Sequence, residues 1–422
     1  MKYNYIKQAI ASIRQQPVMS LVSIIGTSLA ILLIMVIVMI IEVPVASFSP
    51  ESNRDRWLVY KFGSITHESW GADDSSNGPL GFNTVKAVFY PLETAECVTA
   101  FCISPSEAAF SLPGTASFGA QLLDVDDRFW NVMDFTFIAG KPFTRADFDS
   151  GISVAVLSES VARKLYQSVD VVGREVLINH VPYRVCGVVE DVSELANEAY
   201  AQAWVPFTTT NVAAFSWCDY MGSLSVIILA KTPDDFPAIR EELKERFDKF
   251  GDEIKLGGWK FIQRERPYTQ TVAANTQWAN LNPDMEQVVR SRLIIFSILL
   301  IVPAINLSNM THSRLRRRRE EIGVRRAFGA RRSSIIREIF IENLVVSLIA
   351  GVIGLLLSVI FALIWREGIF GTDNVNLEIL IHWTIFGWAL LFCFLLNLLS
   401  AGIPVWKASR VNVVDALNNK IK

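Results

Sequence analysis

Residues 316–332 read RRRREEIGVRRAFGARR, and the run lies between two apolar stretches. Leu315 to Phe328 forms a helix candidate. Gly329 is placed to cap it in the left-handed conformation, and Ser333 and Ser334 can open the next helix. The spacing predicts a short helix-turn-helix elbow at a membrane surface. Its four consecutive arginines, Arg316 to Arg319, would sit among anionic headgroups. Ile322, Val324, Ala327 and Phe328 add small apolar knobs. A loop that only set topology would need basic charge alone, not Glu321, Gly323, Gly329 and Ala330 in this order. The cluster also lacks the interleaved aromatics of a nucleic-acid surface.

Hydropathy around the elbow predicts four transmembrane helices. The first apolar run starts at Val18 and gives a span within 18–45. Its core, to about Ile41, is about 36 Å long at 1.5 Å per residue, enough to cross a hydrocarbon layer of about 30 Å. A secretory signal is the rival reading, because Val-Ala-Ser near Ala46 resembles a cleavage site. The run is too long for that, and a polar start precedes it. In that start, residues 1–17, Tyr3, Ile6, Ile10 and Ile13 share one helical face, as in an amphipathic helix lying on the bilayer. The second span, 288–312, is interrupted by Pro303, Asn306 and Asn309. The third and fourth are 342–365 and 382–404. Between spans two and three, residues 313–341 carry ten arginines from Arg314 to Arg337, and the tail, 405–422, adds Lys407, Arg410, Lys420 and Lys422. Short basic loops stay cytoplasmic, so both termini and the elbow are expected inside and residues 46–290 outside.

The totals agree. The chain has 422 residues, 51% of them hydrophobic, with a formal net charge of -2. That is too long for one compact domain and too apolar for an ordinary soluble protein, and its net charge suggests no polyanionic partner. The expected outside segment reads as α+β. Ile152 to Leu157 reads as a buried strand followed by a helix, Glu159 to Gln167. Glu175 to Asn179 and Tyr183 to Val189 read as paired strands around the turn Asn179-His180-Val181-Pro182. Leu224 to Ala230 reads as a strand, Pro237 to Phe250 as an amphipathic helix, and Ser75 to Gly81 as a polar loop. An inserted subdomain is expected at about 118–205.

No HExxH, GxSxG or supported SxxK pattern is present. Four single histidines, His67, His180, His312 and His382, make no zinc pattern. Asp124, Asp126, Asp127, Asp147 and Asp149 have the chemistry to bind a cation, but solvated loop carboxylates are the simpler account. Cys393 lies in an apolar run. Cys97, Cys102, Cys186 and Cys218 fall in the outside segment, and buried thiols or one disulfide both fit the spacing.

These patterns together resemble the MacB/FtsX-like permeases of ABC transporters. That family's loop reads approximately R-x-x-E-I-G-[IV]-[RK]-[RK]-A-x-G-A, here Arg318 to Ala330. Phe340 and Glu342 before the third span, and Gly351 and Gly354 within it, also match. Gly402 to Leu417 resembles the closing P-x-x-x-A-s-r-x-x-P-x-x-a-L signature, with Val413 or Val414 where proline is usual. Gly140 to Asp147 resembles the periplasmic G-R-x-F-t-x-x-D element, with Lys141 for arginine. Val154 to Leu165 matches the strand-helix element, and Tyr183 to Val189 the F-x-V-x-G-V strand.

The resemblance implies a bacterial inner-membrane permease, without enzyme activity or cofactor of its own, that transmits force. Arg318, Glu320, Glu321, Ile322, Gly323, Val324, Arg325, Arg326, Ala327, Phe328, Gly329 and Ala330 would form the coupling helix that docks on an ATP-binding subunit. No GxxxxGK[ST] occurs in the chain and neither terminus has room for such a domain, so the ATPase is expected on a separate partner. Other expected partners are a second permease copy, membrane lipids, and a periplasmic adaptor with an outer-membrane channel, with no nucleic acid. The expected role is export of an amphipathic compound or peptide. Lipoprotein release and FtsX-like control of a cell-wall hydrolase are the alternatives. The large outside domain favours the pump.

Overall fold

The structure, a computed structural model, describes residues 17–71, 73–276, 278–317, 324, 328 and 332–370, with 387, 388, 391, 392 and 394–396. The amphipathic N-terminal segment, most of the fourth span and the tail lie outside the described residues. The chain divides into two units, Pro44–Met285 and the flanking segments Met1–Val43 with Glu286–Lys422.

In the flanking unit, Pro17–Glu42 forms helix α1. Much later in the chain come α6 (Met285–Arg317), α7 (Arg332–Ile364) and the short α8 (Arg366–Phe370). Within α1 the stretch Ser20–Glu42, and within α7 the stretch Asn343–Ile364, are long and apolar enough to cross a membrane. The two helices pack together. Ile31, Ile34, Met35 and Val38 of α1 are buried at helical spacing, as are Val346, Ala350, Ser358 and Ala362 of α7. The α7 stripe of small residues every fourth position is what lets two backbones approach where water supplies no driving force. At Gly354 a β-carbon would stand 2.7 Å from the Ser28 carbonyl and 2.9 Å from Ile31 Cβ. The other faces carry exposed Leu21, Ile25, Leu29 and Leu33 on α1, and Val352, Leu356 and Ile360 on α7. Such faces suit lipid and not water. Phe392, in the fourth apolar segment, packs on Phe296 of α6 with ring centroids 5.5 Å apart.

The larger unit is built on two β-structures. Strands β1 (Trp57–Tyr60), β4 (Cys97–Cys102), β12 (Leu224–Leu229) and β14 (Tyr268–Thr269) make one antiparallel sheet in the order β4-β12-β1-β14. Side chains alternate across a strand. Leu58 and Tyr60 therefore face a core shared with α4 (Phe236–Lys255), which contributes Ile239, Leu243 and Phe247. Trp57 and Val59 face a second core with Phe101, Phe129 and Trp204. Because both faces are covered, β1 reads as an unbroken apolar run and β12 as one interrupted at Ser225, and neither as an alternation. A small second sheet joins β2 (Gly63–His67) to β3 (Ser76–Gly78) and β13 (Trp259–Phe261). The predicted polar loop at Ser75 to Gly81 thus contains an edge strand, which its serine and glycine content does not advertise.

Strands β5 (Ser106–Ser111), β6 (Phe118–Val125), β8 (Val154–Ser158), β9 (Glu175–Ile178), β10 (Val181–Val189) and β11 (Ala203–Pro206) pair in the order β11-β8-β10-β9-β5-β6. β11 pairs with β6 as well, so the ladder closes on itself. Ala108, Phe110, Leu122, Leu157 and Val185 fill the core of this ring. Between β6 and β4, which joins it to the first sheet, the ladder pairs Phe101 with Val125.

Local chemistry sets these elements. The β9–β10 turn is tighter than predicted: Asn179 and His180 have φ of 48° and 67°, the left-handed geometry of a two-residue hairpin, and Val181 and Pro182 belong to β10. Helix α3 (Glu159–Tyr166) is capped by Ser158 and stops where Gln167 turns left-handed. Helix α2 (Arg145–Asp149) opens on a reciprocal capping box between Thr144 and Asp147. Before it, β7 (Phe137–Gly140) pairs with β10. Gly140 there has φ +69°, and a β-carbon would meet the Cys186 carbonyl at 2.2 Å. The G-x-x-F-T-x-x-D pattern is therefore a packing device: Gly140 lets β7 close on β10, Phe143 fills the core, and Thr144 and Asp147 start the helix.

Two outcomes follow from this packing. Gly354→Val should cost about 1–3 kcal/mol by overpacking α1 against α7, seen as a lower thermal midpoint of the full chain, while Val352→Leu on the outer face should leave it unchanged. The second concerns Asp126, which is fully buried and whose carboxyl is pushed up to about 6 by burial, against hydrogen bonds that stabilise its charge. The folded state therefore binds its proton more tightly than the unfolded chain, and this group's contribution to stability falls as pH rises through that window. The shift corresponds to about 3 kcal/mol at most. Asp126→Asn cannot titrate, so the thermal midpoint of wild type minus that of the variant should be larger at about pH 4 than at about pH 7.5.

Candidate functional site

The predicted elbow lies between α6 and α7. Of the twelve predicted coupling residues within it, Val324 and Phe328 are described. Val324 is helical, the Phe328 N–H donates to the Val324 carbonyl at 3.1 Å, and Phe328 is 89% exposed. Arg318, Glu320, Glu321, Ile322, Gly323, Arg325, Arg326, Ala327, Gly329 and Ala330 lie outside the described residues.

Sequence reasoning missed a second cluster, which grips the chain just after α1. Arg54 is 1% exposed and ion-paired to Glu51 at 2.7 Å. Its remaining nitrogens donate to the carbonyls of Ala46 (2.8 Å) and Leu195 (2.9 Å), and its guanidinium lies 4.4 Å from the Phe48 ring centre. Glu51 in turn accepts the backbone N–H groups of Glu198 (2.7 Å) and Ala199 (2.9 Å). Glu198 pairs with Lys61 at the end of β1. Two positions earlier than Ala46, the Pro44 carbonyl accepts from Gln270 at 2.8 Å. Gln270 is also held by Trp57 Nε1 at 2.9 Å and begins α5 (Gln270–Ala273), which precedes α6 in the chain. One glutamine and one arginine thus tie the strand that leaves α1 to β1, to the 195–199 turn and to the segment that leads back to α6.

Burial and charge are balanced inside this clasp. Burial pushes the Glu51 carboxyl up, and Arg54 pulls it back only in part. Burial pulls the Lys61 ammonium down, but the Glu198 carboxylate beside it outweighs this and leaves it raised. Such groups tolerate burial only while every partner is in place.

Asp124 and Asp126 are buried and not the solvated loop carboxylates expected, whereas Asp149 is exposed. Asp126 accepts Tyr90 Oη (2.7 Å), Thr99 Oγ1 (2.6 Å), Ala100 N (2.8 Å) and Phe129 N (2.9 Å). Asp124 is held by Thr210 at 2.6 Å, and Asp127 and Asp149 pair with Arg145. Asp124 and Asp126 staple loops to strands, a role that an isolated Asp in sequence does not reveal. No group of metal-binding side chains occurs among the described residues. Cys97, Cys102, Cys186 and Cys218 are free. Cys97 and Cys102 lie at opposite ends of β4, about 17 Å apart at strand rise, far beyond disulfide reach. Burial pushes Cys97 up to about 11 and Cys186 up to about 12, which keeps both as thiols.

In chain order, the large α+β unit thus falls between α1 and α7, the two helices long and apolar enough to cross a membrane. Residues 20–246, more than half of the chain, match the MacB-like periplasmic core domain, and residues 293–413 match the FtsX-like permease C-terminal domain. The chain belongs to the MacB/FtsX-type family of ABC transporter permeases. It is 25% identical to the ABC transporter permease YknZ of Bacillus subtilis over 299 residues, which cover 71% of this chain and 70% of that one. It is 26% identical to the macrolide export ATP-binding/permease protein MacB of Escherichia coli K12 over 301 residues, 69% of this chain and 42% of MacB. The crystal structure of the periplasmic region of MacB from Actinobacillus actinomycetemcomitans superposes with a TM-score of 0.35 at 18% identity, over 50% of this chain and 89% of that one. The extracellular domain of YknZ gives 0.31 at 16% identity, over 48% and 100%. Both scores are too low to bear on the fold.

The clasp has a direct test. Arg54→Met leaves the Glu51 carboxylate buried and unpaired, a loss of about 3–5 kcal/mol. Pairing it with Glu51→Gln should recover part of the loss in thermal midpoint; a double variant no better than the single would show that the ion pair is not what holds the clasp.

Proposed function

We propose that this chain converts ATP hydrolysis on a separate subunit into movement of its extracytoplasmic domain, and so drives export of an amphipathic compound or peptide. In this reading four helices cross a bacterial inner membrane, at 18–45, 288–312, 342–365 and 382–404, with both termini cytoplasmic. A second permease copy completes the machine, and an adaptor with an outer-membrane channel continues the path outward. The elbow, 313–341, docks on the ATP-binding subunit. Arg316 to Arg319 hold it at the lipid surface, and Val324 and Phe328 supply the apolar contact.

The observation that carries this reading is the exposed Phe328 within the arginine-rich family motif between α6 and α7. The clasp supports it, because a domain moved by its helices needs the connecting chain fastened and not loose. Few charges lie within the apolar stretches of α1 and α7, which fits force transmission better than a polar conduit.

Glu321→Arg and Gly329→Trp should leave the protein folded but uncouple it. The full complex would lose co-purification of its ATP-binding subunit, or lose stimulated ATPase activity and export, by tenfold or more. Retention of both association and export in these variants would exclude the elbow as the coupling element.

A further inference from the structure

Three loops distant in sequence bring three tryptophans together on the surface of the extracytoplasmic unit. Trp70 follows β2, Trp217 lies in the stretch before β12, and Trp259 opens β13. Trp259 stands nearly perpendicular to both others, at 5.6 Å and 87° from Trp70 and 5.8 Å and 73° from Trp217. Trp70 and Trp217 lie 6.0 Å apart, inclined at 34°. His67 closes the group edge-on to Trp259 at 4.6 Å. The cluster is not sealed in: Trp217 is 45% exposed, with Phe215 (57%) two residues before it, and Leu256 (93%) lies three residues before Trp259. Trp70, Trp259 and His67 line a groove of about 1110 Å³ that runs beside α4.

Each loop is held in shape, which keeps the ordering cost of binding low. Trp217 and Met221 exchange two backbone hydrogen bonds across a turn in which Cys218 and Asp219 are left-handed. His67 Nδ1 accepts the Ser69 N–H, which leaves Nε2 to donate to the Gly257 carbonyl. Residue 258, next to Trp259, is left-handed and has no room for a β-carbon beside His67. Indoles that served only as core would not be left at the mouth of an open groove.

Charge indicates the occupant. The segments that carry Trp70 and Trp217, residues 63–78 and 211–221, hold Glu68, Asp73, Asp74 and Asp219 and no lysine or arginine. The groove's own lining holds Glu68, Asp248 and Asp252 against Lys255 and Lys260, three carboxylates to two lysines. Among the described residues neither Glu68 nor Asp252 is in an ion pair. Indole faces attract cations through the ring quadrupole, and an acidic rim adds to that attraction while repelling an anionic bilayer.

We propose that this ledge is a binding site for a cationic amphiphile. The ligand's ammonium or guanidinium sits over the indoles near Glu68 and Asp219, and its apolar body runs along the groove beside Trp259. The assignment deepens the export reading by giving the cargo a charge and a landing place, and it rests on that reading for its biological meaning.

The test uses the full chain in nanodiscs of zwitterionic phosphatidylcholine, by titration calorimetry with empty-disc subtraction. The probes are a synthetic leucine–lysine peptide, its leucine–glutamate counterpart, and dodecyltrimethylammonium below its micelle concentration. Saturable binding is expected for cationic probes and not for the glutamate peptide. Trp217→Ala and Trp70→Ala should each weaken it about tenfold, and Glu68→Gln with Asp219→Asn about fivefold, with a flatter salt dependence. Binding of both cationic probes assigns the site to the charge and apolar body alone; binding of the peptide only assigns it to peptides. Equal binding of both peptides, or affinity in the tryptophan variants within about twofold of wild type, overturns the proposal. Binding here needs no ATP, so its failure leaves the coupling role standing, and an uncoupled elbow variant should still bind.

Discussion

The Arg54 guanidinium is the hinge pin of the extracytoplasmic unit. A fully buried cation is costly unless each of its donors finds an acceptor. Here the acceptors come from three places: the Glu51 carboxylate, the Ala46 carbonyl just after α1, and the Leu195 carbonyl in the turn between β10 and β11. The same Glu51 gathers the amides of residues 198 and 199. The chain leaving the first helix is therefore not a tether but part of the domain's core, and Gln270 repeats the arrangement one step nearer the helix. Motion of that connecting chain would have to carry β1 with it or break a buried ion pair.

This bears on how a permease without an assembled catalytic centre among its described residues can work. The parts of the chain with sharp chemistry are joints. Asp126 knits β4 to the start of the 129–132 helical turn, and Thr144 with Asp147 fixes the corner after β7. Nothing among these groups is arranged to attack a bond. Each resists a local deformation, which is what the proposed force-transmitting role requires.

The sequence disclosed what depends on long, repeated patterns. The apolar runs that became α1 and α7, the strand-helix unit at 154–166 and the amphipathic α4 follow from periodicity, and the glycine at 140 from its motif. Other features stayed hidden for physical reasons. Glu51, Arg54, Lys61 and Glu198 look like ordinary surface charges, because burial of an ion pair is decided by partners 140 residues away in the chain. Asp126 was misjudged for the same reason. The three tryptophans of the ledge fall in segments of unrelated sequence, and only the paired edges of β2 and β13, with the 217–221 turn, bring them together. Ser76–Gly78 is a strand because β2 offers it an edge, not because its residues prefer one.

The ring of strands β5, β6, β8, β9, β10 and β11 has one further consequence. A ladder that closes on itself presents no unsatisfied row of amides and carbonyls along its sides. Neighbouring proteins cannot lengthen the ring itself by zippering on a strand of their own; the free edge beside it belongs to β7, which pairs with β10 outside the ring. A partner that grasps the tube elsewhere does so by its rims, through turns such as Asn179-His180, and a grip confined to the rims can swivel without unpicking the wall.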